Sequence, residues 1–568
     1  MDPQNNTLIG YITRVQSNGF FASITLNDKG NFPITLIEGK PILAGQIGSY
    51  LTIHQGNIRI LARIIRASNT PDIKQQRNDT DDHKAQTGWL ELIPLGELTA
   101  QTFHRGIRRF PTPGAKVHII TQNELNLLFS SFTGKSIELG HLPAQPSVNV
   151  SLDAAALFGR HSAILGQSGS GKSWGVANLL QQAVSTMPNA HVVLLDLHGE
   201  YHWIDGKGAA HSAFDEDITQ CLDARTLEIP FWLLTFAELV DLFIDRTEDG
   251  ASTQIAFFRE VIHSLRRKAN PEIESSKISI DTPVYFSLTD LYRHIKAANE
   301  QNLNFGKQKG ALHGKFDGLL MRMQSRLNDV RYDFLFKPKH RTDSASLAGL
   351  LRDLVGLGQK KSQITIIDLS SVPFDVRPTV SAQIGRLVFE FNYWNPNHSQ
   401  FPILLVCEEA HTYIPREEKT TFAGTRQSIE RIAKEGRKYG LSLAVVSQRP
   451  HELSETVLAQ CANFLCFRIT NPDDQAYIRS LVPDGETNLV DTLAALGRGE
   501  VMALGEAVPI PLRFQMYPPD PKPNSSDTDL YTYWKSEPKD IDVESIAQNW
   551  QNQLQQTQKR VNVSVVSK

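Results

Sequence analysis

The sequence predicts an α/β protein: a small N-terminal β-barrel, then a larger domain built on a parallel sheet and interrupted by a helical insertion. Two observations predict it. Over residues 1–145, short alternating apolar runs are cut by turn residues; from about residue 160, continuous apolar strands alternate with helical stretches. A chain of 568 residues is too long for one core, and 40% hydrophobic with 21% charged residues is an ordinary globular composition.

The runs "LIGYITRV", "GFFASITL", "GSYLTIHQ", "NIRILARII" and "KVHIIT" supply the barrel strands. Turn signals at Asn18-Gly19, Asp28-Lys29-Gly30 and Gln55-Gly56-Asn57 separate them, and many short strands with such turns suggest closure into a barrel. The polar segment 68–88 reads as a loop. In the second domain the buried strands are "SAILG", "HVVLLDL", "QITIIDLS", "PILLVCEE", "LSLAVVSQ" and "NFLCFRIT". A helical insertion, about 235–360, separates the second of these from the third, with "TQIAFFREVIHSLRRK" and "FDGLLMRMQSRLNDVRYDFLF" each reading as a helix.

The expected domains are therefore a barrel at 1–145, a sheet domain at 146–520, and a linker and tail at 521–568. The tail holds one amphipathic helix, "VESIAQNWQNQLQQTQKR", and a β-like end, "VNVSVV". Cys221, Cys407, Cys461 and Cys466 form no CxxC pair and read as buried thiols. The N-terminus lacks an apolar leader, and no run approaches the roughly 20 apolar residues of a membrane span. A cytoplasmic protein without membrane contact is expected. The net charge of -3 excludes a uniformly basic nucleic-acid binder, so any positive surface must be local.

The strongest motif is Gly166-Gln-Ser-Gly-Ser-Gly171-Lys172-Ser173, with a strand before it and a helix after it. The glycines let the backbone curl so that amides of Gly166, Ser168, Gly169, Ser170 and Gly171 converge on phosphates at a helix N-terminus. Lys172 brings a point charge to the β- and γ-phosphates, and the Ser173 hydroxyl is placed to ligate Mg²⁺. ATP and Mg²⁺ are the expected cofactors. Hydrolysis needs a water activator, and Glu408 and Glu409 end the apolar strand "PILLVC", where ligands of open α/β sheets collect. Glu409 is the expected general base, and Glu408 the expected metal-shell residue in a place usually taken by aspartate. Asp196, with His198 and Glu200 beyond it, and Gln448 lie at two further strand ends facing the same crevice.

Phosphoryl transfer also needs a cation on the transition state. The basic segment 426–440 offers Arg437, with Lys438 beside it, in the last turn of a helix ended by Gly440, where cations also suit the helix dipole. Arg160, just before the strand that leads to Gly166, is a second nucleotide contact. Arg416, Lys419 and Arg426 are the expected DNA-facing cations; Arg322, Arg326 and Arg331 on the insertion are weaker ones. Contacts to DNA would be to phosphates and independent of sequence.

Together these blocks resemble the HerA branch of the HerA/FtsK superfamily of ring ATPases. The resemblance spans most of residues 1–520 through "IGYITRV", "FHRGIRRFPTPGAKV", "IELGHL", "GRHSAILGQSGSGKS", "LLDLHGEY", "LVCEEAHTYIP", "RIAKEGRKYGLSLAVVSQRP" and "ALGRGEVMALGEAVPIPLRF". It implies an N-terminal HAS barrel, a RecA-like core with a helical bundle, and a homohexameric ring around duplex DNA. It implies ATP contact by Lys172 and Ser173, water activation by Glu409, and support from Asp196 and Gln448. It also implies Arg160 acting within its own subunit and Arg437 acting on the next. Such motors work with a nuclease or a defence effector, so an ATP-dependent DNA translocase or helicase is the expected function. A conjugation- or secretion-type ATPase and a ring scaffold that regulates a partner enzyme are the alternatives.

Overall fold

The computed structural model describes residues 7–551 apart from 28, 38–39, 70–86, 130–131, 133, 144, 206–207, 224–227, 304–307, 417–422, 483–486, 526–528 and 536–540. The chain forms two compact units, Met1–Leu157 with Asn463–Tyr517, and Phe158–Ala462 with Pro518–Lys568.

In the first unit, strands β1 (Leu8–Gln16), β2 (Gly19–Thr25), β3 (Tyr50–Gln55), β4 (Ile58–Ser68), β5 (Thr87–Leu98), β6 (Phe103–Arg105) and β7 (Lys116–Ile119) make one antiparallel sheet. Its order is β2-β1-β7-β3-β4-β5-β6, and β2 also pairs with β5, which closes six strands into a barrel with β6 added at the side. Alternation decides which residues fill it: Ile12, Phe20, Ala22, Ile24, Ile53, Leu90, Leu92 and Val117 are buried in one core. The barrel expected from the turn spacing is present. Strands β8 (Ser136–Leu142) and β9 (Gln145–Asp153) form a hairpin, and β8 pairs with Leu512–Met516, which in turn pairs with Glu500–Gly505.

The second unit carries the parallel sheet. Strands β10 (His161–Leu165), β11 (Val192–Asp196), β12 (Thr219–Asp223), β13 (Ile364–Asp368), β14 (Ile403–Cys407) and β15 (Leu441–Ser447) lie in the order β10-β15-β14-β11-β13-β12. All are paired in parallel, and β10, β11, β13, β14 and β15 are buried along their whole length. That burial is why they read as unbroken apolar runs. Helices α1 (Lys172–Thr186), α2 (Arg377–Tyr393) and α3 (Ala423–Glu435) connect them.

Between β12 and β13 run helices Phe236–Phe243, Ala251–Ala269, Leu288–Asn299, Asp317–Asn328 and Leu347–Leu354. The single helix expected over "FDGLLMRMQSRLNDVRYDFLF" is broken. Asp329 leaves helical backbone (φ -90°, ψ 116°), and its side chain accepts the Arg331 amide, which starts a separate short turn. Three cysteines are buried, Cys221 is half-buried, and all are free thiols. No helix among the described residues is long and apolar enough to cross a membrane. Most of the 68–88 loop, Asp28 of one turn signal, Lys419 and the end "VNVSVV" lie outside the described residues; the tail helix is described over Val543–Gln551.

Candidate nucleotide site

The site forms where the parallel strands end. After β10 the chain turns through Gly169 (φ 71°) and Gly171 (φ 104°), left-handed conformations that glycine adopts at little cost. A side chain added at Gly169 would meet open space, so the left-handed turn and not crowding calls for glycine there. The Ser170 hydroxyl is buried and donates to the Gln167 carbonyl (2.6 Å), which fixes the curl. Gly166 donates its amide to Ser447 of β15 (3.2 Å), so the loop is tied to the neighbouring strand. Lys172 opens α1, and its Nζ donates to the Gln167 carbonyl (3.2 Å). Burial pushes the Lys172 ammonium down, while the carboxylates of Glu409, Glu408 and Glu200 pull it back up.

The two glutamates are presented together by an unusual backbone. Continued as a strand, Glu408 and Glu409 would face opposite sides of the sheet. Glu409 instead adopts φ 45°, ψ 42°, at a cost on the order of 1 kcal/mol for a residue with a Cβ. The Thr412 amide and hydroxyl, both donating to the Glu409 carbonyl at 2.9 Å, hold this turn. Both side chains consequently bear on Lys172.

Glu409 is gripped at both oxygens. Gln448, at the end of β15, donates to Oε1 at 2.5 Å, and His411 Nδ1 lies 3.4 Å from Oε2. The Ser447 hydroxyl lies 3.2 Å from the same His411 nitrogen. A cavity of about 320 Å³ beside Glu409 is lined by Leu197, His198, Phe374, His411 and Gln448 among others. The structure thus brings His198, Glu409 and Gln448 together, as the strand-end reading expects.

Glu408 is buried and accepts the Tyr201 hydroxyl, while the Tyr413 hydroxyl donates to its carbonyl at 3.1 Å. Burial pushes the Glu408 carboxyl up to about 8; the Tyr201 bond opposes this, and Glu409, Glu200 and Asp196 add to it. A buried acid cluster faced by one lysine suits a divalent cation. Ser173 and Glu408 are the residues that would hold Mg²⁺. Among the described residues no three acidic, His or Cys groups are placed together to hold a metal ion.

Asp196 has a different occupation from the one its position suggests. Its Oδ1 accepts the amides of His198 (3.2 Å), Gly199 (2.8 Å) and Glu200 (3.2 Å), and its Oδ2 accepts Tyr201 (3.0 Å). Burial, with the Asp368 carboxylate adding to it, pushes Asp196 up to about 7 against the Tyr201, Glu200 and His198 amide bonds. It shapes the loop that delivers Tyr201 to Glu408.

The arginines sit elsewhere. Ser162 pairs with Ala444 and Leu165 with Ser447, so β10 and β15 run in register and their first residues share the sheet edge opposite the Gly166–Ser173 loop. Arg160 precedes β10 and exposed Arg437 precedes β15. The five residues of β10 span about 17 Å at 3.3 Å each, beyond the reach of a side chain. Contact of Arg160 with the phosphate loop of its own subunit would have to cross a full strand length. Buried His161 accepts the Leu443 amide at Nδ1 (3.0 Å) and donates from Nε2 to Ala433 of α3 (2.9 Å), fixing this edge below Arg437.

Most of the other expected cations are matched internally. Arg416 pairs with Glu455, Arg426 with Glu430 (2.7 Å), Arg322 with Glu248 (2.5 Å) and Arg331 with Asp329, while Arg326 donates to the Leu242 carbonyl. Tyr201, His411, Tyr413 and Ser447 were not singled out as site residues. The pattern "EEAHTY" placed two of these four, His411 and Tyr413, near the glutamates without saying which atoms meet.

Comparison with known proteins gives the same neighbourhood. The family model "Helicase HerA, central domain" matches residues 137–388. A probable helicase of Methanocaldococcus jannaschii is 27% identical over 443 residues, 75% of each chain. The DNA double-strand break repair helicase HerA of Sulfolobus acidocaldarius is 27% identical over 449 residues, covering 78% of this chain and 80% of that relative. Among solved structures, VirB4 of Thermoanaerobacter pseudethanolicus aligns with a TM-score of 0.44 at 15% identity, over 68% of this chain and 96% of that one.

Proposed function

We propose that this chain, whose residues 137–388 match the HerA helicase central-domain family model, is one subunit of a hexameric, ATP-driven DNA translocase of the HerA type. One observation carries this reading: the acid half of the site and its arginines lie on opposite edges of one sheet. A single subunit cannot close such a site, whereas a ring supplies the missing edge from the neighbour. Gly166, Ser168, Gly169, Ser170 and Gly171 cradle the ATP phosphates through their amides, and Lys172 neutralises the β- and γ-phosphates. Ser173 and Glu408 would hold Mg²⁺, which supplies charge neutralisation at the phosphate oxygens. Glu409, aimed by Gln448 and His411, orients and deprotonates the attacking water. Asp196 supports this indirectly by fixing the Tyr201 loop. Arg437, with Arg160 on the same edge, stabilises the transition state of the adjacent subunit.

The work done is movement of duplex DNA in the cytoplasm, without sequence preference, for a nuclease or defence-effector partner. The double-strand break repair named for the Sulfolobus relative supports a role in end processing. The test is ATP turnover with and without duplex DNA from 50 to 200 mM salt. Stimulation that fades steeply as salt rises supports the reading, because phosphate contacts release counterions. A rate indifferent to DNA at every salt concentration favours a regulatory scaffold instead.

A further inference from the structure

The barrel carries a charged surface that the nucleotide site does not use. Residues 98–123 contain no Asp or Glu, yet include Arg105, Arg108, Arg109 and Lys116, in a chain with 61 acidic and 58 basic residues. β6 lies along β5 with Arg105 opposite Gly96. A Cβ on Gly96 would meet the His104 carbonyl oxygen at 2.2 Å and the Phe103 ring at 2.5 Å, so glycine is what allows this close approach. Beyond β6, one oxygen of Glu97 accepts the amides of Arg108 (2.5 Å) and Arg109 (3.2 Å). Thr112 and Gln55 then exchange two hydrogen bonds of 2.8 Å.

Between these pins the side chains sort cleanly. Phe103 is buried, Ile107 packs on the barrel core, and half-exposed Phe110 rests edge-on against buried Phe20 at 6.2 Å. His104, Arg105, Arg108 and Arg109 face solvent. Elsewhere, exposed arginines are commonly matched, as Arg246 is with Asp241, Arg431 with Glu390 and Arg449 with Glu452. Among the described residues, Arg108 and Arg109 have no carboxylate within ion-pair distance, and Glu97 is engaged by their amides.

Two guanidiniums without an ion-pair partner among the described residues, on a pinned loop, make a phosphate-binding face. Arginine stays charged and forks onto phosphate oxygens, and a preset backbone lowers the ordering cost of binding. We propose that residues 104–110 grip the phosphate backbone of duplex DNA, a second DNA contact on the barrel. The proposal rests on the translocase reading and names a surface that carries its substrate. An acidic protein is the rival occupant. The loop fits it less well, because Phe110 is its one exposed large apolar residue, whereas protein interfaces centre on an apolar cluster.

The test uses the full-length protein and a fluorescent 30-base-pair duplex, with affinity followed by anisotropy from 50 to 200 mM salt. Arg108→Gln/Arg109→Gln should make the log–log salt slope shallower by about 1.8. Wild type would then lose about twelvefold more affinity than the variant across that range. Arg108→Lys/Arg109→Lys should keep the wild-type slope, and DNA-free ATP turnover and melting temperature should not change in either variant. If the double glutamine variant fails to fold, Arg109→Gln alone should lower the slope by about 1. Equal slopes in wild type and the glutamine variant overturn the barrel contact and leave the translocase reading standing. Absence of duplex binding by wild type overturns both. An unchanged DNA slope with lost binding to polyglutamate overturns the proposal in favour of an acidic protein.

Discussion

Arg437→Ala separates a ring ATPase from a self-sufficient one. β15, which begins four residues after Arg437, has seven residues and spans about 23 Å, so the guanidinium cannot reach the Gly166–Ser173 loop of its own subunit. Removing an arginine that acts on the transition state costs about 10³–10⁵ in turnover. Every site in an Arg437→Ala ring lacks its arginine, and every site in a Glu409→Gln ring lacks its base. In a ring mixed one to one, an interface works when its acid comes from the first variant and its arginine from the second. Random mixing makes about a quarter of interfaces complete, so turnover should recover to about a quarter of wild type if sites fire independently. The assay is steady-state phosphate release on remixed subunits, with native mass spectrometry confirming mixed rings. No recovery in verified mixed rings refutes the shared site. So does an Arg437→Ala protein that keeps more than about a tenth of wild-type turnover.

Other expected outcomes address the site and its support. Glu409→Gln should bind ATP with near-wild-type affinity and turn over at least about a hundredfold more slowly, measured by nucleotide titration and phosphate release. Lys172→Ala should lose the binding itself, so the pair divides grip from chemistry. His161, pushed down to about 4 by burial, stays neutral in the fold, with Nδ1 an acceptor and Nε2–H a donor. Its folded value lies below the usual 6.5, so its stabilisation is complete above pH 6.5 and is lost as pH falls towards 4. Denaturant melts of His161→Gln between those limits should depend less on pH than wild type; identical pH profiles would remove His161 from the account.

The parts legible in the sequence were those set by local pattern. Continuous apolar runs gave β10, β11, β13, β14 and β15, and alternation with turn glycines gave the barrel, because burial on two faces or one face leaves that trace directly. The Gly166–Ser173 loop was legible because glycine adopts φ 71° and 104° at residues 169 and 171 at little cost. What stayed hidden depends on distant pairing. The grip of Gln448 on Glu409 joins residues 39 apart, and Tyr201 meets Glu408 across 207. The positive φ of Glu409 has no composition signal, since glycine is absent there. The distance of Arg160 from the loop stayed hidden because six residues of separation from Gly166 contain an entire strand. The loop-fixing bonds of Asp196 stayed hidden because a carboxylate ending a strand serves a ligand or its own loop equally well, and here four amides bond to it.

Displacement of a third strand from a DNA triplex examines the motor itself. A short oligonucleotide paired in the major groove of a linear duplex is released by a protein advancing along that duplex. Wild type with ATP should release it, and Glu409→Gln should hold DNA and ATP yet release none. Brisk ATP turnover on the same duplex with the third strand left in place would contradict a translocase.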